Sequence, residues 1–223
     1  DILYLVIEDA NGCISDSIPI TLVCECESEI GIMDTDTLEL CEGDEAFATY
    51  LGGHENDGND TLMYILHSRQ DDTLGAIIDT ATFVDGGIAY SDGITFGQLY
   101  YISMIIGNVQ SADSAYVNLT DPCLVVALGQ PVIWYENPVS DAGMDREECG
   151  FSTNLAATPS VGTGTWTAVP DTGAVVFDNP NDPNTLVTVD EVGVYTFRWS
   201  ENNEECEDFD EVEIDFKGDI SFI

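Results

Sequence analysis

Positive charge is what this chain has least of: 4 Lys and Arg residues stand against 43 Asp and Glu, for a formal net charge of −39 over 223 residues. A surface of that sign repels phosphate backbones, which argues against nucleic acid as a partner and makes anionic membranes poor partners too. No apolar run approaches the roughly 18 residues a membrane span needs, so no membrane contact is expected from this segment. No window carries a helical stripe. The chain also lacks a G-x-S-x-G elbow, a Walker loop and an H-E-x-x-H helix, so triad, phosphoryl-transfer and zinc-hydrolase chemistry have no motif behind them. His54 and His67 are the only histidines, and neither has Cys, Asp or His at zinc spacing; His67 ends an apolar strand and reads as structural. A glycosidase would need only two carboxylates, which are here in excess, but abundance is not placement. A non-catalytic role is expected.

What is present points to strands. Thr, Val, Ile, Tyr and Phe are plentiful, and Gly and Asn/Asp clusters punctuate the chain every eight to twelve residues. The stretch from Gly193 to Phe216 sets the pattern. Tyr195, Phe197 and Trp199 alternate with Val194, Thr196, Arg198 and Ser200; a polar turn leads to Cys206; then Val212, Ile214 and Phe216 alternate with Glu211, Glu213 and Asp215. The same order of strand, turn, cysteine and strand recurs at Tyr4, Val6, Asp9-Ala10-Asn11-Gly12, Cys13, Ile18, Ile20 and Leu22. A looser copy runs from Leu99 to Cys123, where the run LYYISMII is the most apolar in the chain and the turn becomes an excursion ending in Asp121-Pro122-Cys123. The expected fold is all-β, a tandem of β-sandwich modules that end alike.

Four segments follow. Residues 1–27 are the closing hairpin of an incomplete module plus a linker, 28–137 and 138–216 are complete modules, and 217–223 is a linker or the start of a next strand. A lone hairpin is marginal in water, so the first is expected to be either cut from a longer chain or completed by another subunit, with the segment Asp219 to Ile223 as the candidate donor strand.

Seven cysteines without a paired C-x-x-C zinc arrangement imply disulfides, hence an extracellular, cell-surface or secreted protein. With no leader or membrane span in view, the chain reads as a processed or fragmentary segment. Cys41 and Cys123 bracket the first complete module, and Cys149 and Cys206 the second; each pair is expected to bond. Closing the first of these loops contributes about 4 kcal/mol on the chain-entropy account. Cys13, Cys24 and Cys26 are left as unpaired or intermolecular candidates; Cys13 with Cys24 or Cys26 is feasible, which leaves one thiol over.

Two acidic loops are candidate calcium sites. Asp57, Asn59 and Asp60 surround Gly58, and Asp178 and Asp182 flank a Pro-rich turn with Asn179 and Asn181; either supplies oxygens on a flexible turn, and either is equally explained as an Asx-rich turn on a solvated surface. A third acidic cluster runs from Glu201 through Asp210. Calcium is the one cofactor these residue types suggest. Trp166 and Trp199 fall on inward positions and belong to a core, whereas Trp134 beside Tyr135, at a module boundary, is the candidate glycan-binding pair.

Beyond these patterns, the runs Asp9 to Cys13, Tyr64 to His67, Tyr100 to Ser103, Asp121 to Leu124 and Leu155 to Trp166 resemble repeat modules of very long Bacteroidetes surface proteins. Those are the gliding-motility-associated adhesins, built from tandem immunoglobulin-like and PKD-like domains. The resemblance implies export, a spacer or adhesive role, and no catalysis. It departs from the family in having no C-terminal sorting domain, and in carrying Thr165-Trp166-Thr167 where PKD domains have W-D-F-G-D-G. The expected function is a structural segment of a surface adhesin or filament, stiffened by disulfides and calcium. Its partners would be neighbouring modules, copies of itself or surface polysaccharide. The alternative is a carbohydrate-binding module set of a secreted enzyme.

Overall fold

A computed structural model describes residues 2–21, 26–56, 58–70, 73–83, 86–91, 93–111, 115–170 and 175–218. Every regular element among them is a strand. The first hairpin pairs β1 (Ile2–Leu5) with β2 (Ile18–Thr21), with Ile18 opposite Leu5. Its tip is fixed by Asp9, whose Oδ1 accepts the N–H groups of Asn11 at 2.8 Å and Cys13 at 2.9 Å. Those two donors hold the Asp9 carboxyl below its usual range.

The next strands are β3 (Ile32–Met33), β4 (Leu38–Cys41), β5 (Ala46–Phe47), β6 (Tyr50–Gly52), β7 (Asp60–His67), β8 (Ile77–Thr82), β9 (Gly87–Ile88), β10 (Leu99–Asn108), β11 (Val125–Val126) and β12 (Gln130–Tyr135). The main sheet runs β4-β12-β10-β7-β8, with β11 also on β10. β3 with β6 and β5 with β9 form two small opposing ladders. Between the layers lies a core of Met33, Ala46, Leu66, Ile102, Met104 and Trp134 with their neighbours.

The two central strands do not alternate, and the reason is that both of their faces are covered. Met63, Ile65 and Ile105 point away from the main core into a second cluster roofed by Val117 and Val126, with Leu124 against it. The excursion between β10 and β11 is therefore a lid on the outer face, which is why Met63, Ile65 and Ile105 are apolar as well as the residues facing the main core. Asp121 anchors that lid: Oδ2 accepts the Asn108 N–H at 2.6 Å and Oδ1 the Cys123 N–H at 3.0 Å. Burial opposes its charge, but these donors outweigh burial and hold its carboxyl below the usual range. A lowered folded-state pKa contributes stability that is present above the unfolded value, about 3.9, and lost as pH falls through the folded value. Asp121→Asn is expected to cost about 2 kcal/mol at neutral pH. In thermal melts the gap between wild type and variant should hold constant above about pH 4 and narrow below it.

The last module holds β13 (Arg146–Cys149), β14 (Ser152–Asn154), β15 (Thr163–Val169), β16 (Val175–Phe177), β17 (Leu186–Val189), β18 (Gly193–Asn203) and β19 (Cys206–Lys217). Its sheets are β13-β19-β18-β15 and β14-β17-β16. Here the alternation is clean. Phe197, Trp199, Val212, Ile214 and Phe216 face Leu155, Val187 and Val189, and Trp166 lies 5.3 Å from Trp199 between ring centroids. Gly164 has to be glycine, because a Cβ there would sit 1.8 Å from the Trp199 ring. The inward face ends in a carboxylate: Glu201, 2% exposed, accepts the Ser160 N–H at 2.9 Å and hydroxyl at 2.7 Å.

Both modules share one feature of connectivity. The first strand of the main sheet runs parallel to the last, β4 beside β12 and β13 beside β19, while the last two long strands are antiparallel. This is the order of an immunoglobulin-like sandwich, and the chain is a tandem of such sandwiches. It also gives each module two poles. The parallel first strand ends at the downstream pole, where the chain leaves, and the tip of the closing hairpin lies at the upstream pole.

Candidate functional site at the module junction

The polarity decides the disulfides. Cys41 is bonded to Cys206 and Cys26 to Cys123, in place of the expected pairs Cys41–Cys123 and Cys149–Cys206. Cys149 lies beside Lys217, at the far end of β19 from Cys206. A 12-residue strand spans about 36 Å, against the 7 Å a disulfide tolerates between Cα atoms. Cys41 and Cys123 are likewise at opposite ends of the first sheet, more than about 20 Å apart along β10. Cys13 and Cys149 are free and exposed. Cys26, for which Cys13 or an intermolecular partner was the expectation, bonds Cys123 instead and ties the lid to the incoming linker, and Cys24 lies outside the described residues.

Around Cys41–Cys206 the two modules are knit together. Tyr135, the last residue of β12, accepts the Glu42 N–H through its carbonyl at 2.8 Å. From the other module, Asn203 at the hairpin tip donates Nδ2 to the Glu136 carbonyl at 2.8 Å, and within the connection Asn137 donates Nδ2 back to the Glu42 carbonyl at 3.0 Å. The connection is then held immediately: Val139 N–H donates to Ser160 Oγ at 2.8 Å, Ser140 N–H to Asp208 at 2.7 Å and Ala142 N–H to Asp210 at 2.9 Å. Members of the third acidic cluster thus act as acceptors for the entering backbone. Tyr135 is surrounded by anions; burial first, then Glu39, Glu204 and Glu205, push its hydroxyl pKa up. Only Glu136, Asn137 and Pro138 separate β12 from the bonded entry segment, so little chain is left to flex.

The other expected site residues lie elsewhere. Trp134 is fully buried and donates Nε1 to the Asp44 carbonyl at 3.1 Å, so it is a core residue, and the face proposed for glycan stacking is turned inward. Asn59 donates to Asn108, and Asp60 accepts the Ser28 hydroxyl; Asp57 lies outside the described residues. Asp182 accepts the Asn184 N–H at 2.9 Å and Asn179 the Asn181 N–H at 3.2 Å, which is Asx-turn bonding. Among the described residues no three His, Cys, Asp or Glu side chains converge as a metal set. A surface depression of about 520 Å³ beside Gly164 and Asn181 is lined by no ionisable group. Asn137, Asn203 and the pairing partner of Cys206 carry no motif of their own in the sequence; the one signal is an Asn in the turn before a hairpin-tip cysteine, Asn203 before Cys206 as Asn11 before Cys13.

No family model matches the chain, and no curated protein matches it. Solved structures that it resembles are β-sandwich proteins. Sidekick-1 immunoglobulin domains 1–4 are 11% identical over 97% of this chain and 58% of that one, with a TM-score of 0.43. A three-immunoglobulin-domain fragment of titin is 8% identical over 87% and 67%, with a TM-score of 0.44. The PKD domain from KIAA 1837 protein is 23% identical over 38% of this chain and 90% of that one, with a TM-score of 0.34. At such values the likenesses add nothing to what strand order already establishes.

Proposed function

We propose that this chain is a non-catalytic structural segment of an extracellular, multi-domain surface adhesin or filament, of the kind the gliding-motility-associated surface proteins represent. One observation carries the reading: a disulfide joins successive modules across a three-residue connection, so the junction holds a fixed angle. Such a bond suits an oxidising space outside the cytoplasm and a role as spacer or rod. Calcium enters as a counter-ion of a surface of net charge −39 rather than as the occupant of a built site. Surface polysaccharide remains a partner for the parent protein to meet at its ends. The test is antibody labelling of intact source cells against these modules. Labelling without permeabilisation supports the reading, and labelling only after permeabilisation rejects it. Sedimentation in millimolar calcium and after chelation tests the counter-ion role, with looser assemblies expected on chelation.

The carbohydrate-binding alternative rested on Trp134 and Tyr135. With Trp134 at 0% exposure, Trp134→Ala is expected to cost the first complete module about 4 kcal/mol. Urea titration checks this; a folded, fully stable variant with weakened glycan binding would restore the alternative.

A further inference from the structure

Cys13 and Cys149, the two free cysteines among the described residues, occupy the same places in their modules as the two cysteines of the junction disulfide. Cys41 is the last residue of β4 and lies beside Tyr135, and Cys149 is the last residue of β13 and lies beside Lys217. The equivalence extends to the backbone: Glu42 N–H donates to the Tyr135 carbonyl at 2.8 Å, and Gly150 N–H donates to the Lys217 carbonyl at 2.9 Å. At the other pole, Cys206 is the first residue after its hairpin turn, opposite Asn203. Cys13 is the first residue after the Asp9 to Gly12 turn, and its carbonyl accepts the Asp9 N–H at 3.0 Å. Cys149 is therefore a second Cys41 with nothing bonded to it, and Cys13 a second Cys206.

We infer that Cys149 and Cys13 are the two halves of a further head-to-tail disulfide, Cys149 taking the hairpin-tip cysteine of a following module and Cys13 the first-strand cysteine of a preceding one. The partner is a module of this same build, and the Cys13 hairpin of a second copy of the chain presents it. The interface is heterologous, so it propagates along one direction rather than closing a dimer. Charge disfavours the like pairing of two hairpin tips, because the Cys13 tip carries Glu8 and Asp9 and no cation, whereas at the Cys149 pole Arg146 and Lys217 offset most of the charge of Glu147, Glu148 and Asp215. Bond formation removes one proton and one electron from each thiol. A disulfide oxidant such as oxidised glutathione accepts both by exchange and leaves as two thiols, while one S–S bond forms between the modules.

The inference rests on the proposed modular, extracellular reading, and the experiment separates the two. Cys13→Ser and Cys149→Ser are made in a Cys24→Ser background, each purified oxidised, then mixed under oxidised glutathione. Products are resolved by non-reducing electrophoresis and peptide mass spectrometry. A mixed dimer joined Cys149 to Cys13 is expected about tenfold over either symmetric dimer, the ratio that about 1.4 kcal/mol of junction contact supplies. Symmetric dimers in equal or greater yield overturn the inference, as does an absent mixed dimer, while an intact Cys41–Cys206 bond leaves the proposed function standing. Cys41 and Cys206 found as thiols in the native protein would overturn both.

Discussion

Trp199→Ala is expected to unfold the last module while the first complete module melts where it did before. Trp199 is 1% exposed, tilted against Trp166, and lies directly over Gly164, where no side chain could fill the space it leaves. β15 and β18 are locked in continuous register from Thr163 opposite Asn202 to Val169 opposite Thr196, so the sheet cannot close on the cavity. Removing a buried tryptophan from such a site costs about 4 kcal/mol. For a module of this size that lowers its melting temperature by about 20 °C. The core of the last module and the cores of the first are separate clusters, which is why the loss stays local. Calorimetry should resolve two transitions with only one displaced; a joint shift of both would mean that the modules fold as one unit.

How far the sequence reaches can be seen in these same residues. The closing hairpin from Gly193 to Phe216 was legible because one of its faces is solvated, so its alternation is intact and Phe197, Trp199, Val212, Ile214 and Phe216 all fall inside. In β7 and β10 a lid covers the second face, and an unbroken apolar run says strand without saying which side is core. The disulfides were misread for a different reason. Sequence order suggests that cysteines bracketing a module should meet, yet a first strand running parallel to the last places them at opposite poles. Trp134 was misread because a residue next to a linker need not face it: the strand position between Ile133 and Tyr135 points into the core. The acidic loops gave no metal signal that their own turn hydrogen bonds do not explain.

Cys41→Ser should act without touching either core, unlike Trp199→Ala. With the bond intact, the module that unfolds first remains tied to its folded neighbour in a loop of roughly 70 to 100 residues, which on the chain-entropy account raises its stability by about 4 kcal/mol. Losing the bond therefore lowers the first melting transition, although neither core changes. The larger effect is mechanical. The disulfides interleave, Cys26 to Cys123 and Cys41 to Cys206, so a pull on the two ends is carried through residues 1–41, across the sulfur bridge, and out through 206–223. Everything from Glu42 to Glu205 is bypassed. In Cys41→Ser the shortest covalent route instead crosses Cys26–Cys123 and runs through the whole last module, roughly 70 residues more, or about 240 Å of added contour length. Single-molecule stretching of the oxidised protein and the variant measures that difference directly. If wild type extends as far as the variant, the junction bond does not carry the load, and the stiff-spacer reading loses its physical basis.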